Sequence, residues 1–284
     1  MKNIDITKVM EWGMESFLAD MGIRIGRLSY PPLMLLTRIK VKYRIRRIND
    51  PPQLGNQPVI YAANHFSFSD IPIVLRSLRR HCCIFAGRQR LAFEDWLFFV
   101  LNGIIWVDRK DRADMAKAKE RILKCLRSGV PVLWFPEGTW NLTENQLMLP
   151  MKWGIVDVAR QSGAQIVPVG LDYDRNEMMC SMKLGVPIGG EALKDKGQAI
   201  RQLRDAMATM RWEYMEQKGV FCRAELDMEA ERKTMRYSIE EYPPIDWAYE
   251  RSCIFRPCAE PAEVFEHLEK LTPRKENAFL FRRA

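Results

Sequence analysis

The chain has 284 residues, 47% of them hydrophobic and 28% charged, which excludes a disordered tail or fibrous repeat and allows one large buried core. Its 44 Lys and Arg against 36 Asp and Glu give a net charge of +8, a bias toward anionic partners. No helix-turn-helix, zinc-finger or aromatic-basic pattern accompanies that charge, so lipid phosphate is a better partner than nucleic acid.

Met10, Met14, Phe17, Leu18, Met21 and Ile25 recur at helical spacing. Residues 1–30 therefore read as one helix or two, packed on the domain or lying on a membrane, and ended by Tyr30-Pro31-Pro32. Leu33-Met34-Leu35-Leu36 is an apolar patch for lipid or core. Over 37–48, Arg38, Lys40, Lys42, Arg44 and Arg46 alternate with Ile39, Val41, Tyr43 and Ile45. That is the period of a strand with one basic face, turned to solvent or to anionic head groups. Turns follow at Asn49-Asp50-Pro51-Pro52 and Gly55-Asn56. Strands are then predicted at 58–63, 82–87, 104–107, 130–135 and 165–171, and helices at 70–80, 93–101, 112–128 and 153–162, with a closing helix over 193–215. Such alternation predicts an α/β sandwich. Beyond about 221, Trp247, Tyr249, Ile254, Phe255, Phe265 and Leu268 need burial, which points to a packed appendage rather than a free tail.

Seven Cys, scattered but for adjacent Cys82-Cys83 and without a Cys-x-x-Cys or a His/Cys spacing that suggests zinc, argue against a bound metal and for a reducing, cytoplasmic setting. The N-terminus does not read as a signal peptide, and no run reaches the ~20 apolar residues that span a bilayer. The longest, Trp96 to Val107, is broken by Asn102 and Gly103. Membrane contact is therefore expected to be peripheral.

Only 3 His occur, and His65 stands on a strand-to-helix loop, Ala63-Asn64-His65-Phe66-Ser67-Phe68-Ser69-Asp70. Asp70 follows one helical turn later. An imidazole oriented by a carboxylate is a general base that works near pH 7. Ser69 or Asp70 would cap the following helix, and Pro72 suits its first turn. A second loop, Trp134-Phe135-Pro136-Glu137-Gly138-Thr139, again follows an apolar run and supplies a carboxylate, a glycine and a hydroxyl. A Gly turn brings backbone N–H groups close to a phosphate, to which Thr139 adds a hydroxyl. Glu137 is read as accepting from an acceptor hydroxyl or as holding the turn together.

Asn-His-x4-Asp followed by Phe-Pro-Glu-Gly-Thr resembles the glycerolipid acyltransferase family, typified by 1-acylglycerol-3-phosphate acyltransferases. Three weaker motifs follow the same order. Gly103 to Arg109 resembles the segment ending in a substrate-binding arginine, Leu149-Pro150-Met151-Lys152-Trp153-Gly154 the Leu-Pro-x-Lys-x-Gly stretch, and Ile166 to Leu171 the Val-Pro-Val strand. The resemblance covers roughly 55–175 and implies an N-terminal helical segment over 1–36, an acyltransferase domain over 37–220 and a C-terminal extension over 221–284. It implies His65 and Asp70 as the catalytic pair, with Arg109, Glu137, Gly138, Thr139, Lys152 and Arg90 binding substrate and Arg88 as a further cation. It also implies acyl-CoA or acyl-acyl carrier protein as co-substrate, no other cofactor, a lysophospholipid acceptor, and attachment to the inner face of the cell membrane. An acyl tunnel is expected among Trp96, Phe98, Phe99, Leu101, Ile104 and Ile105, and a loop N–H near His65 is expected to stabilise the oxyanion. One departure concerns the acceptor: where the family usually has Arg after Phe-Pro-Glu-Gly-Thr, this chain has Trp140. A lyso-aminolipid acceptor, or a non-catalytic membrane-binding protein of the same fold, are the alternatives.

Overall fold

The computed structural model describes residues 6–88, 93–141, 147–174 and 177–218. Arg90 and the extension over 221–284 lie outside the described residues. Seven strands form one mixed sheet: β1 Arg44–Arg47, β2 Val59–Ala63, β3 Cys83–Gly87, β4 Ile104–Val107, β5 Val132–Trp134, β6 Gln165–Asp174 and β7 Met179–Leu184. Their order is β1-β7-β6-β2-β5-β3-β4. β2 to β6 run parallel, and only the β6–β7 pair is antiparallel.

Among the described residues six α-helices cover the sheet: α1 Ile6–Lys40, α2 Asp70–Leu78, α3 Phe93–Leu101, α4 Arg112–Arg127, α5 Gly154–Ser162 and α6 Lys196–Lys218. β2 shows how the layers arise. All five of its residues are buried, because helices lie on both faces. Val59, Tyr61 and Ala63 join the core beneath α1, α2 and α3, whereas Ile60 and Ala62 join the core beneath α4, α5 and α6. The predicted α/β sandwich is therefore the observed architecture, with most elements within a few residues of their predicted bounds.

Two expectations near the N-terminus are corrected. The helix does not stop at Tyr30-Pro31-Pro32 but continues through both prolines to Lys40. An internal proline costs roughly 3 kcal/mol. That cost is met here by packing: Leu33, Met34, Thr37 and Val41 fall on one face at helical spacing and are all buried. The Tyr30 hydroxyl also donates to the Leu75 carbonyl at 2.6 Å. Accordingly, the strand expected over 37–48 shortens to Arg44–Arg47, and Arg38 and Lys40 stand on the helix rather than in a basic row. β7, which the sequence did not predict, pairs with both β6 and β1.

The topology gathers the site residues predicted from the sequence. β2, β5, β3 and β4 lie in that order and end at one edge of the sheet. The crevice beyond the carboxyl ends of parallel strands is where α/β folds bind ligands. The His65 loop leaves β2, the Phe135–Asn141 loop leaves its neighbour β5, and Arg109 follows β4.

Candidate active site

The Asn64 side chain makes a two-way bond with Leu171 of β6, accepting from its N–H at 2.7 Å and donating to its carbonyl at 3.1 Å. This continues the β2–β6 ladder by one step, so His65 leaves the sheet at a fixed point. The His65 backbone is then tied to the neighbouring loop on both sides. Its N–H donates to Glu137 Oε1 at 3.2 Å, and its carbonyl accepts from Asn141 N at 2.8 Å.

His65 Nδ1 lies 2.8 Å from Asp70 Oδ2. A carboxylate only accepts, so Nδ1 carries the proton and Nε2 keeps the lone pair of a base. The same Oδ2 accepts from Phe66 N at 2.6 Å and Ser67 N at 2.9 Å. Asp70, fully buried at the start of α2, thus faces back into the loop instead of capping its helix. Ser69 occupies the cap position but makes no side-chain cap bond. The Phe66 and Ser67 amides are committed to Asp70 and the His65 amide to Glu137, so these loop N–H groups, expected as oxyanion donors, are already engaged.

Aromatic rings bound the imidazole. Phe135 stacks on it with centroids 4.2 Å apart, and Trp140 lies 5.2 Å away and also packs on Phe68. The ring's side chain remains 13% exposed and opens on a cavity of about 350 Å³. Its walls are mainly apolar: Ile71, Phe85, Phe99, Trp106, Ile122 and Trp134 among them. Of the residues expected to form a tunnel, Phe99 alone lines it. Ile104 and Ile105 are core residues on β4 instead, because a strand covered on both faces buries both sets of side chains.

Arg109, Gly138, Thr139 and Lys152 reach the cavity, as expected, and Lys119 of α4 joins them. Arg109 donates to the Gly138 carbonyl. Gly87 makes room for that guanidinium, since a Cβ there would meet Arg109 Nε at 2.8 Å. Gly138 has φ +75°, a conformation that favours glycine, and the Lys152 stem packs close against it. Arg88 lies 3.7 Å from Asp114, a partner on α4.

Glu137, expected at the acceptor, does not line the cavity. It is 1% exposed, and its second oxygen accepts from Leu149 N at 2.7 Å. A carboxylate whose two oxygens each hold a backbone amide of a different loop clamps those loops together, which is the structural one of its two sequence readings. Burial raises its pKa to about 7, against the bonds from Leu149 and His65 and the charge of Arg211, which lower it. Arg211 of α6 also donates to the Leu147 carbonyl and covers the Phe66 ring at 4.1 Å. Sequence reasoning missed this arginine, because α6 is remote along the chain from both loops. It also missed Tyr173 of β6, whose hydroxyl donates to Asp70 Oδ1. Its only sequence signal is its place at the end of the Val-Pro-Val strand. Among the described residues, no group of three or more His, Cys, Asp or Glu is arranged to hold a metal.

Residues 39–172 match the family model described as acyltransferase. The chain is 32% identical over 199 residues to the 1-acyl-sn-glycerol-3-phosphate acyltransferase of Saccharomyces cerevisiae, covering 64% of this chain and 63% of that protein. It is 36% identical over 128 residues to the enzyme of the same name from Chlamydomonas reinhardtii, covering 45% of this chain and 37% of that protein. The matches thus span less than two thirds of either relative. The crystal structure of the 1-acyl-sn-glycerophosphate (LPA) acyltransferase from Thermotoga maritima superimposes with a TM-score of 0.54 at 15% identity, covering 75% of this chain and 91% of that one, which speaks to the fold. The motif order, the sheet topology and these relatives agree in likening the chain, over residues 39–172, to the acyltransferases of that family model.

Proposed function

We propose that this protein transfers a fatty acyl group from a thioester, acyl-CoA or acyl-acyl carrier protein, to the hydroxyl of a lysophospholipid, with 1-acylglycerol-3-phosphate as acceptor and phosphatidic acid as product. The observation that carries this reading is the His65–Asp70 pair opening on an apolar cavity that also receives Arg109 and Lys152. The names of the relatives support the acceptor. In this mechanism His65 Nε2 takes the proton as the acceptor oxygen bonds to the thioester carbonyl carbon. Asp70 stabilises the imidazolium that results. The tetrahedral intermediate collapses, the C–S bond breaks, and the imidazolium returns its proton to the leaving thiolate. Arg109 and Lys152 hold the acceptor phosphate, with the Arg109 fork suited to two of its oxygens. Gly138 and Thr139 complete the acceptor side, and the apolar wall takes the acyl chain.

Trp140 favours a second reading of the acceptor. It puts an aromatic surface beside His65 where the family usually has a cation, which suits a less anionic lysolipid such as a lyso-aminolipid. One assay separates the readings: purified protein, labelled acyl-CoA or acyl-acyl carrier protein, and a panel of lysolipids. Acylation of 1-acylglycerol-3-phosphate that falls by ~10²–10⁴ in folded His65→Ala supports the proposal. Preference for another lysolipid moves the acceptor assignment to the second reading. No transfer to any acceptor, or a folded His65→Ala variant that keeps more than about a tenth of the rate, would overturn the mechanism.

For lipid substrates we also propose peripheral docking on the inner leaflet. No helix among the described residues is long and apolar enough to cross a membrane. The docking surface differs from that expected, because Leu33 and Met34 are core residues. Leu28, Leu35, Leu36 and Ile39 instead share an exposed face of α1, near the exposed Arg24, Arg27 and Arg38 of the same helix, and Phe93 and Leu97 are exposed on α3, which packs against α1. Co-sedimentation with anionic vesicles should weaken at 1 M salt without vanishing, since screening removes the charge contribution and leaves the apolar one. Protein that stays in the supernatant at low salt would exclude this docking.

A further inference from the structure

Asp70 is fully buried, and its two oxygens have different company. Oδ2 accepts from His65 Nδ1 and from the amides of Phe66 and Ser67, all contributed by its own loop. Oδ1 accepts from the hydroxyl of Tyr173, which comes from β6, the strand paired with β2, and not from the loop itself. The Tyr173 ring is braced in turn by Tyr43, edge-on at 4.9 Å and 75°. We propose that Tyr173 is a positioning residue of the catalytic pair: by holding Asp70 Oδ1 it fixes which oxygen faces His65 and how much charge that oxygen presents. This inference rests on the acyl-transfer reading of the same site.

The physical argument has two parts. A carboxylate bonded at one oxygen alone keeps freedom about its terminal torsion, whereas bonds at both oxygens from separate elements remove it. A donor at Oδ1 also draws charge toward itself, so Oδ2 attracts the imidazolium less strongly than an unshared carboxylate would. Burial first, then the charge of Asp70, keep the phenol pKa well above its usual 10, so Tyr173 remains a donor throughout the working range. The groups facing the phenol are Asp70, Cys180 on β7 and Tyr43. Cys180 is buried, and its pKa is likewise raised by burial first and then by the Asp70 and Asp172 charges.

The test uses the full chain. Tyr173→Phe deletes the hydroxyl and keeps the ring. It should lower kcat by about tenfold, the worth of one hydrogen bond to a charged group, with both KM values within about twofold. The acid limb of the kcat/KM profile should move to higher pH, because the unshared carboxylate holds the imidazolium more tightly. A second readout is independent of turnover. In histidine-labelled protein, the His65 resonance, assigned by its loss in His65→Gln, should titrate at higher pH in Tyr173→Phe. The buried His81, which bonds to the Asn102 carbonyl, should not move. Where Tyr173→Phe fails to fold, Tyr43→Leu removes the brace and keeps the hydroxyl, and it should shift His65 in the same direction by less. An unmoved His65 midpoint, or His65 and His81 shifting together, overturns the positioning role. A His65 shift in protein without acyl transfer would retain the Tyr173 assignment and refute the proposed reaction.

Discussion

Glu137→Gln should separate the cost of the buried clamp from its charge. The side chain receives Leu149 N at 2.7 Å and His65 N at 3.2 Å, one on each oxygen. Glutamine offers one oxygen and one NH₂, so one of the two amides meets a donor in place of an acceptor. The shorter contact should keep the oxygen on Leu149, leaving the His65 amide displaced. Losing one buried partner costs about 2 kcal/mol. The charge works the other way. Burial raises the pKa from 4.5 to about 7, so the folded state binds this proton more tightly than the unfolded state does. A raised carboxylate pKa withdraws stability as pH climbs from about 4.5 through 7, by about 3 kcal/mol in all at ~1.4 kcal/mol per unit. Glutamine has no such proton to lose. At pH 5, Glu137→Gln should therefore be about 2 kcal/mol less stable than the parent, and at pH 8 the gap should close or invert by about 1 kcal/mol. Denaturant unfolding at both pH values measures this directly. Turnover should fall at both, because the displaced amide belongs to His65, the proposed base. A gap that widens with pH would refute the reasoning, since it would mean that ionised Glu137 stabilises the fold.

Asp70→Asn should lower kcat by ~10²–10⁴ by favouring the wrong imidazole tautomer. It should also cost stability, because its amide would face the donors of Phe66, Ser67 or Tyr173; unchanged turnover would remove Asp70 from the pair. Arg109→Ala should raise KM for the lysolipid far more than for the acyl donor, and Lys should rescue only in part because the fork is lost. Equal effects on both substrates would exclude a phosphate role. Gly138→Ala should destabilise by about 1 kcal/mol or more, since a left-handed residue becomes strained while the new methyl presses on the Lys152 stem at 3.1 Å. A thermal midpoint equal to that of the parent would show that the turn relaxes freely.

The sequence by itself determined the alternation of strands and helices from 58 onward and the two loops proposed to carry the chemistry. Those features are local: period-two and helical apolar spacing, the fixed offset from His65 to Asp70, and the run Phe135 to Thr139. The prolines at 31 and 32 misled, because the local cost of a helical proline is visible in sequence whereas the burial of Leu33, Met34, Thr37 and Val41 that outweighs it is not. β7 was invisible for a related reason. Met179-Cys180-Ser181-Met182-Lys183-Leu184 has weak strand propensity, and only pairing with β6 and β1 makes it a strand. At the site, residue type named His65, Asp70, Arg109 and Lys152 but could not assign Glu137 between substrate and scaffold. Its burial and its two amide partners decide that, and one of them, His65, lies 72 residues away in the chain. Tyr173 and Arg211 likewise acquire their contacts only when β6 and α6 fold against the β2 and β5 loops, since a contact across more than a hundred residues leaves no period or spacing to read.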